Sequence, residues 1–432
     1  MKKRVDKMKK MMILTTLVLA SAMLLSVIPV ISESDAAGPT NNDTWTSNPD
    51  YYDVSWFVGH ETENKYVISD AKDFAGLAAL VNGLVDGMEA FSFSNKIIVF
   101  ADDLYELDLS AHYWTPIGKF DGFENVTFRG EIYANIDGGS SSIGKNVIIK
   151  GIYVNGGSNV GLFGSLDGIV SGIGLEDSEI TGTENVGGIA GYSSGTIKQC
   201  YSTAIIKGSN GVGGIAGDAT ESAISECFNF GTVEGTNLVG GIVGTISSGD
   251  ISDCYNTGVV KFSGSDNSGR LGGIGGNSED VNTSISDCFN AGKIPNGTNS
   301  HPIVNGYDPS TMTHNYWLVE ELSHNIPQGK TLELMTGEDA LSTMPLFHTE
   351  LWDEKANGDN KTYFPQLLAL SENDNDKVCA TSLKSVTLGE NNNGEGGGDG
   401  GDGDDDMTLI IIGAIVIAIV AIVVVYFLVI RK

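Results

Sequence analysis

Between residues 159 and 294 one short phrase is written about five times, and no other feature restricts the fold as much. Asn185-Val186-Gly187-Gly188-Ile189-Ala190-Gly191 returns as Gly211-Val212-Gly213-Gly214-Ile215-Ala216-Gly217. It returns again as Leu238-Val239-Gly240-Gly241-Ile242-Val243-Gly244 and as Arg270-Leu271-Gly272-Gly273-Ile274-Gly275-Gly276. A looser copy, Asn159-Val160-Gly161-Leu162-Phe163-Gly164, comes first. A second phrase trails each clear copy: Ile197-Lys198-Gln199-Cys200-Tyr201, Ile224-Ser225-Glu226-Cys227-Phe228-Asn229, Ile251-Ser252-Asp253-Cys254-Tyr255-Asn256 and Ile285-Ser286-Asp287-Cys288-Phe289-Asn290. The steps from Gly161 to Gly187, Gly213 and Gly240 are 26, 26 and 27 residues, and the step to Gly272 is 32. A nearly fixed period of this size marks stacked units, none of which can bury its apolar face alone.

The unit is built from strands. Glycine is too dense for helix interiors, and Val, Ile, Phe and Tyr come in short runs between Gly, Ser, Asn and Asp. Val186 and Ile189 lie three apart with two glycines between them, as Ile251 and Cys254 lie three apart. Strict alternation would send such pairs to opposite faces. If both point inward the chain must bend, and glycine is the residue expected to let it. The reading is a mainly β fold, a single-stranded parallel β-helix (β-solenoid) with glycine corners at Gly187, Gly188, Gly213, Gly214, Gly240, Gly241, Gly272 and Gly273. Equivalent residues then stack about 4.8 Å apart. Val/Ile and Cys form inward columns, and Asn229, Asn256 and Asn290 form an amide ladder.

These phrases resemble the GLUG repeat of bacterial and archaeal surface proteins. The resemblance extends to Tyr66-Val67-Ile68-Ser69 and Trp114-Thr115-Pro116-Ile117-Gly118 before the repeats, and to Asn315-Tyr316-Trp317 and Tyr363-Phe364-Pro365-Gln366-Leu367 after them. It covers roughly residues 66–370 and departs from the usual pattern at Gly130-Glu131-Ile132-Tyr133. It implies a β-helix in an extracellular, adhesin-like protein, and it supplies no catalytic residues.

Along the chain, residues 1–37 read as a secretory signal peptide: six basic residues, an apolar run from Met11 to Ile31, and small residues at Ala36 and Ala37. An uncleaved anchor is the alternative. Residues 38–96 form an N-terminal segment. Its aromatic residues Trp45, Tyr51, Tyr52, Trp56 and Phe57 are expected to pack against the first coil rather than bind sugar. Residues 70–82 have helical spacing, with Phe74, Leu77, Ala78 and Val81 on one face and Ser69 placed to cap the start. This small helix is expected to cover the open solenoid end. The β-helix is assigned to 97–301, with early strands at Ile97–Phe100, Val126–Phe128, Val147–Ile149 and Ile152–Val154. The longer fourth unit places a loop at residues 262–270. Residues 302–370 break the period and read as a C-terminal cap, with helical spacing from Thr331 to Met344 and Trp352 with Phe364 closing the core.

Residues 371–406, rich in Asn, Asp and Gly, cannot bury enough apolar surface to fold and read as an acidic stalk. Met407 to Ile430 is an unbroken apolar run, about 36 Å long as a helix and enough to span a bilayer. Residues 431–432, Arg and Lys, form the cytoplasmic tail. Acidic outer and basic inner flanks agree with a single-pass anchor whose N-terminal ectodomain is extracellular.

Charge and cysteines bound the partners. The chain carries a net charge of −30. Of its 25 basic residues eight lie in residues 1–37 and 407–432, and of its 55 acidic residues three, leaving 17 and 52. The part between is therefore near −35, which disfavours nucleic acid as a partner and leaves the membrane, glycans and envelope or surface proteins. Cys200, Cys227, Cys254 and Cys288 recur at one place in the unit. A buried column of free thiols is the first reading. Disulfides between coils are the second, because stacked Cβ vectors suit the required dihedral poorly. Zinc has neither a CxxC pair nor a nearby histidine to support it, and Cys379 stands apart in the stalk region. The stalk lacks the apolar spacing of calcium repeats and the closing Glu of an EF-hand, so weak cation binding, Ca²⁺ included, is the most it permits. No cofactor is expected. His60, His112, His301, His314, His324 and His348 form no metal-spaced set. Sequons stand at Asn42, Asn125, Asn282, Asn296 and Asn360.

No catalytic motif is present. The leading expectation is a non-enzymatic, membrane-anchored extracellular β-helix protein, either adhesin-like or a structural or binding module of the cell envelope. The rival is a β-helix carbohydrate-active enzyme, a polysaccharide lyase or glycosidase. For that rival the repeats offer few bases, namely Lys198, Lys207, Lys261, Arg270 and Lys293, and loop acids such as Asp102-Asp103.

Overall fold

The computed structural model describes residues 38–40, 42–118, 126–134, 146–263, 268–278, 283–295, 299–306 and 314–318, with short strands at 329–330, 352–353 and 366–367. One turn shows how the repeat folds. It runs through strands Ser158–Val160, Phe163–Leu166, Ile169–Ser171, Ile173–Glu176 and Glu179–Thr181. Each strand pairs in parallel with its equivalent in the next turn, as at Glu184–Gly187, Ala190–Ser193, Thr196–Lys198, Tyr201–Ser202 and Ile205–Lys207. The five strand positions thus build five parallel sheets, numbered 1 to 5 in the order given. They contain six, five, eight, nine and five strands among the described residues. The result is a parallel β-solenoid of about six turns, four of which carry all five faces.

The inward columns are those the phrases imply. Val186, Val212, Val239 and Leu271 stack in sheet 1, and Ile197, Ile224, Ile251 and Ile285 in sheet 3. Ile180, Ile206, Val233 and Val260 stack in sheet 5. All are at most 1 % exposed. Burying each such side chain stabilises the fold by about 1.5–3 kcal/mol. The longer fourth unit does not shift the register, since Val239 pairs with Leu271 across the added residues.

The paired glycines do sit at a corner, where the chain passes from sheet 1 to sheet 2, but they do not turn it with left-handed backbone. None of the eight paired glycines lies in the left-handed region. Two columns of other residues take left-handed backbone, the first inside the strands of sheet 1 and the second between sheets 3 and 4. Asn159, Asn185, Gly211 and Leu238 have φ of 52–64°, and Gly172, Gln199, Glu226, Asp253, Asp287 and His314 have φ of 52–81°. The paired glycines are required by close approach. A Cβ on Gly187, Gly213, Gly240 or Gly272 would stand 1.9–2.1 Å from a carbonyl oxygen three residues on, and one on Gly188, Gly214, Gly241 or Gly273 would stand 2.1–2.4 Å from a carbonyl oxygen of the next turn.

The stack begins before residue 97, because Lys65–Ile68 pairs with Ile97–Phe100 as the first strand of sheet 3. It continues past 301, through Tyr316–Leu318 and Gly329–Lys330 of sheet 4. Of the expected early strands, Val126–Phe128 does not form. Only Phe128 makes an isolated bridge, to Leu166.

The helix spans Ala71–Val81, and its cap is Asp70, not Ser69. The Asp70 carboxylate accepts the backbone N–H groups of Lys72 and Asp73, while the N–H of Ser69 donates to Asp73 Oδ2. Ser69 sits one residue too early to reach the free N–H groups of the first turn. The helix is buried from Asp73 to Val81, with Phe74 stacked on Trp114 at 5.3 Å and Asp53 and Val54 laid across Gly76. The aromatic segment before it packs, as expected. Trp45 and Phe57 are buried, and Tyr51, Tyr52 and Trp56 lie against the core.

The expected signal peptide, the 331–344 segment, Phe364, the expected stalk with Cys379 and the apolar run 407–430 lie outside the described residues. Among the described residues no helix is long and apolar enough to cross a membrane.

Candidate functional site

The repeat's own polar residues are used up inside the solenoid. Asn229 Nδ2 donates to Asn256 Oδ1 at 2.9 Å and Asn256 Nδ2 to Asn290 Oδ1 at 2.8 Å. Each amide oxygen also accepts the N–H two residues ahead, from Gly231, Gly258 and Gly292. The second glycine of each pair lies against this ladder, since a Cβ on Gly214, Gly241 or Gly273 would stand 2.4–2.6 Å from the Asn229, Asn256 or Asn290 side chain. The two phrases of the repeat therefore touch in space.

Cys200, Cys227, Cys254 and Cys288 are free thiols at 0 % exposure. Each S–H donates to the carbonyl two residues back, at 3.1–3.2 Å. Burial pushes the Cys200 and Cys254 thiols well above their ordinary range. After Cys288 the column position passes to Asn315, whose Oδ1 accepts the Cys288 N–H at 3.0 Å.

The residue after each cysteine was not singled out from the sequence, although alternation places it on the opposite face. Tyr201, Phe228, Tyr255 and Phe289 stack on the outer side of sheet 4 at 4.8–4.9 Å, with ring planes within 16°. Each ring is at most 2 % exposed, so the ladder offers no open aromatic face to a sugar. The third glycine of each phrase was also missed. A Cβ on Gly191, Gly217, Gly244 or Gly276 would meet the backbone of the preceding turn at 2.3–2.4 Å.

At the N-terminal end of this ring ladder lies a charged group. Register puts Asp108, Lys150 and Glu176 on successive strands of sheet 4. Lys150 Nζ pairs with Glu106 Oε2 at 2.8 Å, and Tyr201 Oη donates to Glu176 Oε1 at 2.7 Å. The Tyr201 ring occupies the space above Gly174, where a Cβ would be 2.3 Å away. Burial pushes the Glu176 carboxyl up, against the opposing pull of Tyr201 and Lys150. The Glu106 hydrogen bond pushes Lys150 up, and the Ser110 hydrogen bonds pull Asp108 down. Two carboxyls driven apart beside a cation are the raw material of acid–base chemistry, and also of an ordinary surface ion cluster.

Elsewhere the bases of the repeats are engaged. Lys198 pairs with Glu226 at 2.9 Å, Lys207 with Glu179 at 2.7 Å and Lys261 with Glu234 at 3.0 Å. Arg270 Nη1 donates to Asn277 Oδ1, and Lys293 is exposed. Asp102 and Asp103 lie on an exposed turn. His60 pairs with Glu63, His314 with Asp287, and His112 stacks on Tyr51. His301 Nδ1 accepts the N–H groups of Ile303 and Val304. Among the described residues no group of three or more His, Cys, Asp or Glu is arranged to hold a metal. Asn42 is exposed. Asn125, Asn282, Asn296 and Asn360 lie outside the described residues, as do His324 and His348.

No family model matches the chain. Halomucin of Haloquadratum walsbyi is 33 % identical over 107 residues, which are 24 % of this chain and 1 % of that protein. The chain thus spans about one hundredth of that relative's length. A crystal structure described as a candidate immunoglobulin A1 protease from Bacteroides ovatus aligns with a TM-score of 0.39 and 18 % identity, over 71 % of this chain and 92 % of that one.

Proposed function

We propose that this chain is an extracellular β-solenoid of the GLUG-repeat type, held at the cell membrane by its C-terminal apolar run and serving as an adhesin-like or envelope structural module. The observation that carries this reading is the uninterrupted stack. Four complete turns repeat in register, and Lys198, Lys207 and Lys261 are tied into ion pairs. Such a surface suits a rigid, displayed rod. The likeness to Halomucin, a mucin by name, supports the same reading, as do the signal-like start, the acidic stretch 371–406 and the apolar run 407–430. Glycans or other envelope proteins are the partners this surface would meet. Deleting the gene should weaken attachment or envelope integrity, and unchanged values of both would overturn the proposal.

The second reading, a surface carbohydrate-active enzyme, is favoured by one group, Asp108, Lys150 and Glu176. With strands about 4.8 Å apart, the backbones of Asp108 and Glu176 are separated by about 10 Å, just beyond the spacing of two carboxyls that flank a sugar and a water. A glycan array on the solubilised protein, with mass spectrometry of the products, separates the readings. Binding without turnover supports the first. Turnover that is lost in Glu176→Gln supports the second.

A further inference from the structure

We propose that the cysteine column is a binding site for soft, divalent, two-coordinate d10 cations, of which Hg(II) is the type. Four thiols stand one per turn, free and fully buried. Consecutive turns touch at this column, where the Cys200 N–H donates to Cys227 Sγ at 3.5 Å. All four S–H groups are held at the carbonyl two residues back, at 3.1–3.2 Å, so the side chains share one orientation. Parallel Cβ–S bonds are awkward for a disulfide. They are well placed for an ion lying between two sulfurs on the stacking axis. The strand repeat is about 4.8 Å, and two thiolate–metal bonds of about 2.3 Å each span about 4.6 Å. A linear S–metal–S unit therefore fits between consecutive turns without displacing the backbone.

The same geometry sets the selectivity. Four sulfurs on one line cannot form a tetrahedron, so the column does not satisfy Zn(II) or Cd(II). Soft thiolates suit soft ions. The column continues into Ile173 at one end and Asn315 at the other, with no cation to neutralise a buried charge. A divalent ion with two thiolates is neutral, whereas a monovalent one would leave a bare negative charge in the core. For each ion bound, two S–H bonds break, two sulfur–metal bonds form, and two protons leave to solvent with no change of oxidation state. The four thiols hold two ions. Because the column is closed to solvent, loading occurs as the chain folds, and each ion then staples two turns as a cross-link does.

The test uses the full chain carrying Cys379→Ser, so that only the column thiols remain. It is unfolded under phosphine reductant, refolded with Hg(II), Cd(II) or Zn(II), and desalted, and bound metal is counted by mass spectrometry. The expected result is two Hg(II) per chain, an unchanged far-ultraviolet circular dichroism spectrum, a raised thermal midpoint, and no retained Cd(II) or Zn(II). Combining Cys227→Ser with Cys288→Ser leaves thiols two turns apart and should abolish retention. Cys200→Ala with Cys254→Ala is the equivalent pair should the first not fold. Absence of retained Hg(II), retention unaffected by either pair, loss of the native spectrum on loading, or equal retention of Cd(II) or Zn(II) would each overturn the proposal.

Discussion

At the scale of single residues, the account rests on which side chains point inward. Ile215 is fully buried in its column, whereas Lys207 lies on the outer face, 43 % exposed and paired with Glu179. Ile215→Asp should cost several kcal/mol by burying an unpaired charge, and Lys207→Asp should stay within about 1 kcal/mol. Equal thermal melts for the two variants would refute the inward assignment. Leu238 is strained, at φ 53°, in a left-handed position of sheet 1 that Asn159, Asn185 and Gly211 fill in the earlier turns. Leu238→Asn should therefore stabilise the protein by about 0.5–1 kcal/mol, read as a higher midpoint in urea. Glu176 gives a pH dependence. Burial raises its carboxyl in the folded state, so its contribution to stability is full at acid pH and is lost as the pH rises through the raised value. Glu176→Gln keeps a partner for Tyr201 and removes that loss. Its stability relative to the parent should rise from acid to neutral pH, and a constant difference would remove burial as the cause.

At the scale of elements, the asparagine ladder joins neighbouring turns at the corner between sheets 4 and 5. Asn256 is fully buried, donates to Asn290 and Gly258, and accepts from Asn229 and Gly258. Asn256→Ala leaves buried groups unpaired on both sides and should cost about 2–3 kcal/mol. A denaturation midpoint equal to that of the parent would show that the ladder is incidental. The ladder, the Ile and Val columns and the period were legible because each is a residue type repeated at one place in the phrase. The left-handed positions were not legible. A left-handed residue is a backbone property, and Gln199, Glu226, Asp253, Asp287 and Leu238 carry no common side-chain signal for it. The glycine phrase was visible but its cause was misread, since close approach to the next turn appears only once the turns are stacked. The charged group at Glu176 was hidden for the same reason. Asp108, Lys150 and Glu176 are far apart in sequence and meet only through the register of sheet 4.

At the scale of the whole molecule, the stack explains how a glycine-rich chain of net charge −30 can hold a defined fold: among the described residues its apolar columns are interior and most of its acids are not. Self-repulsion among those acids favours a dispersed, displayed molecule. The central claim is that this solenoid is presented outside the cell while its C-terminal end stays in the membrane. The direct measurement is protease treatment of intact cells, followed by immunoblotting with antibodies to the solenoid and to the last residues of the chain. The account predicts that the solenoid is released from intact cells by cleavage between residues 371 and 406, leaving a short membrane-bound C-terminal fragment. A solenoid that stays cell-associated and uncut until the cells are lysed would contradict it.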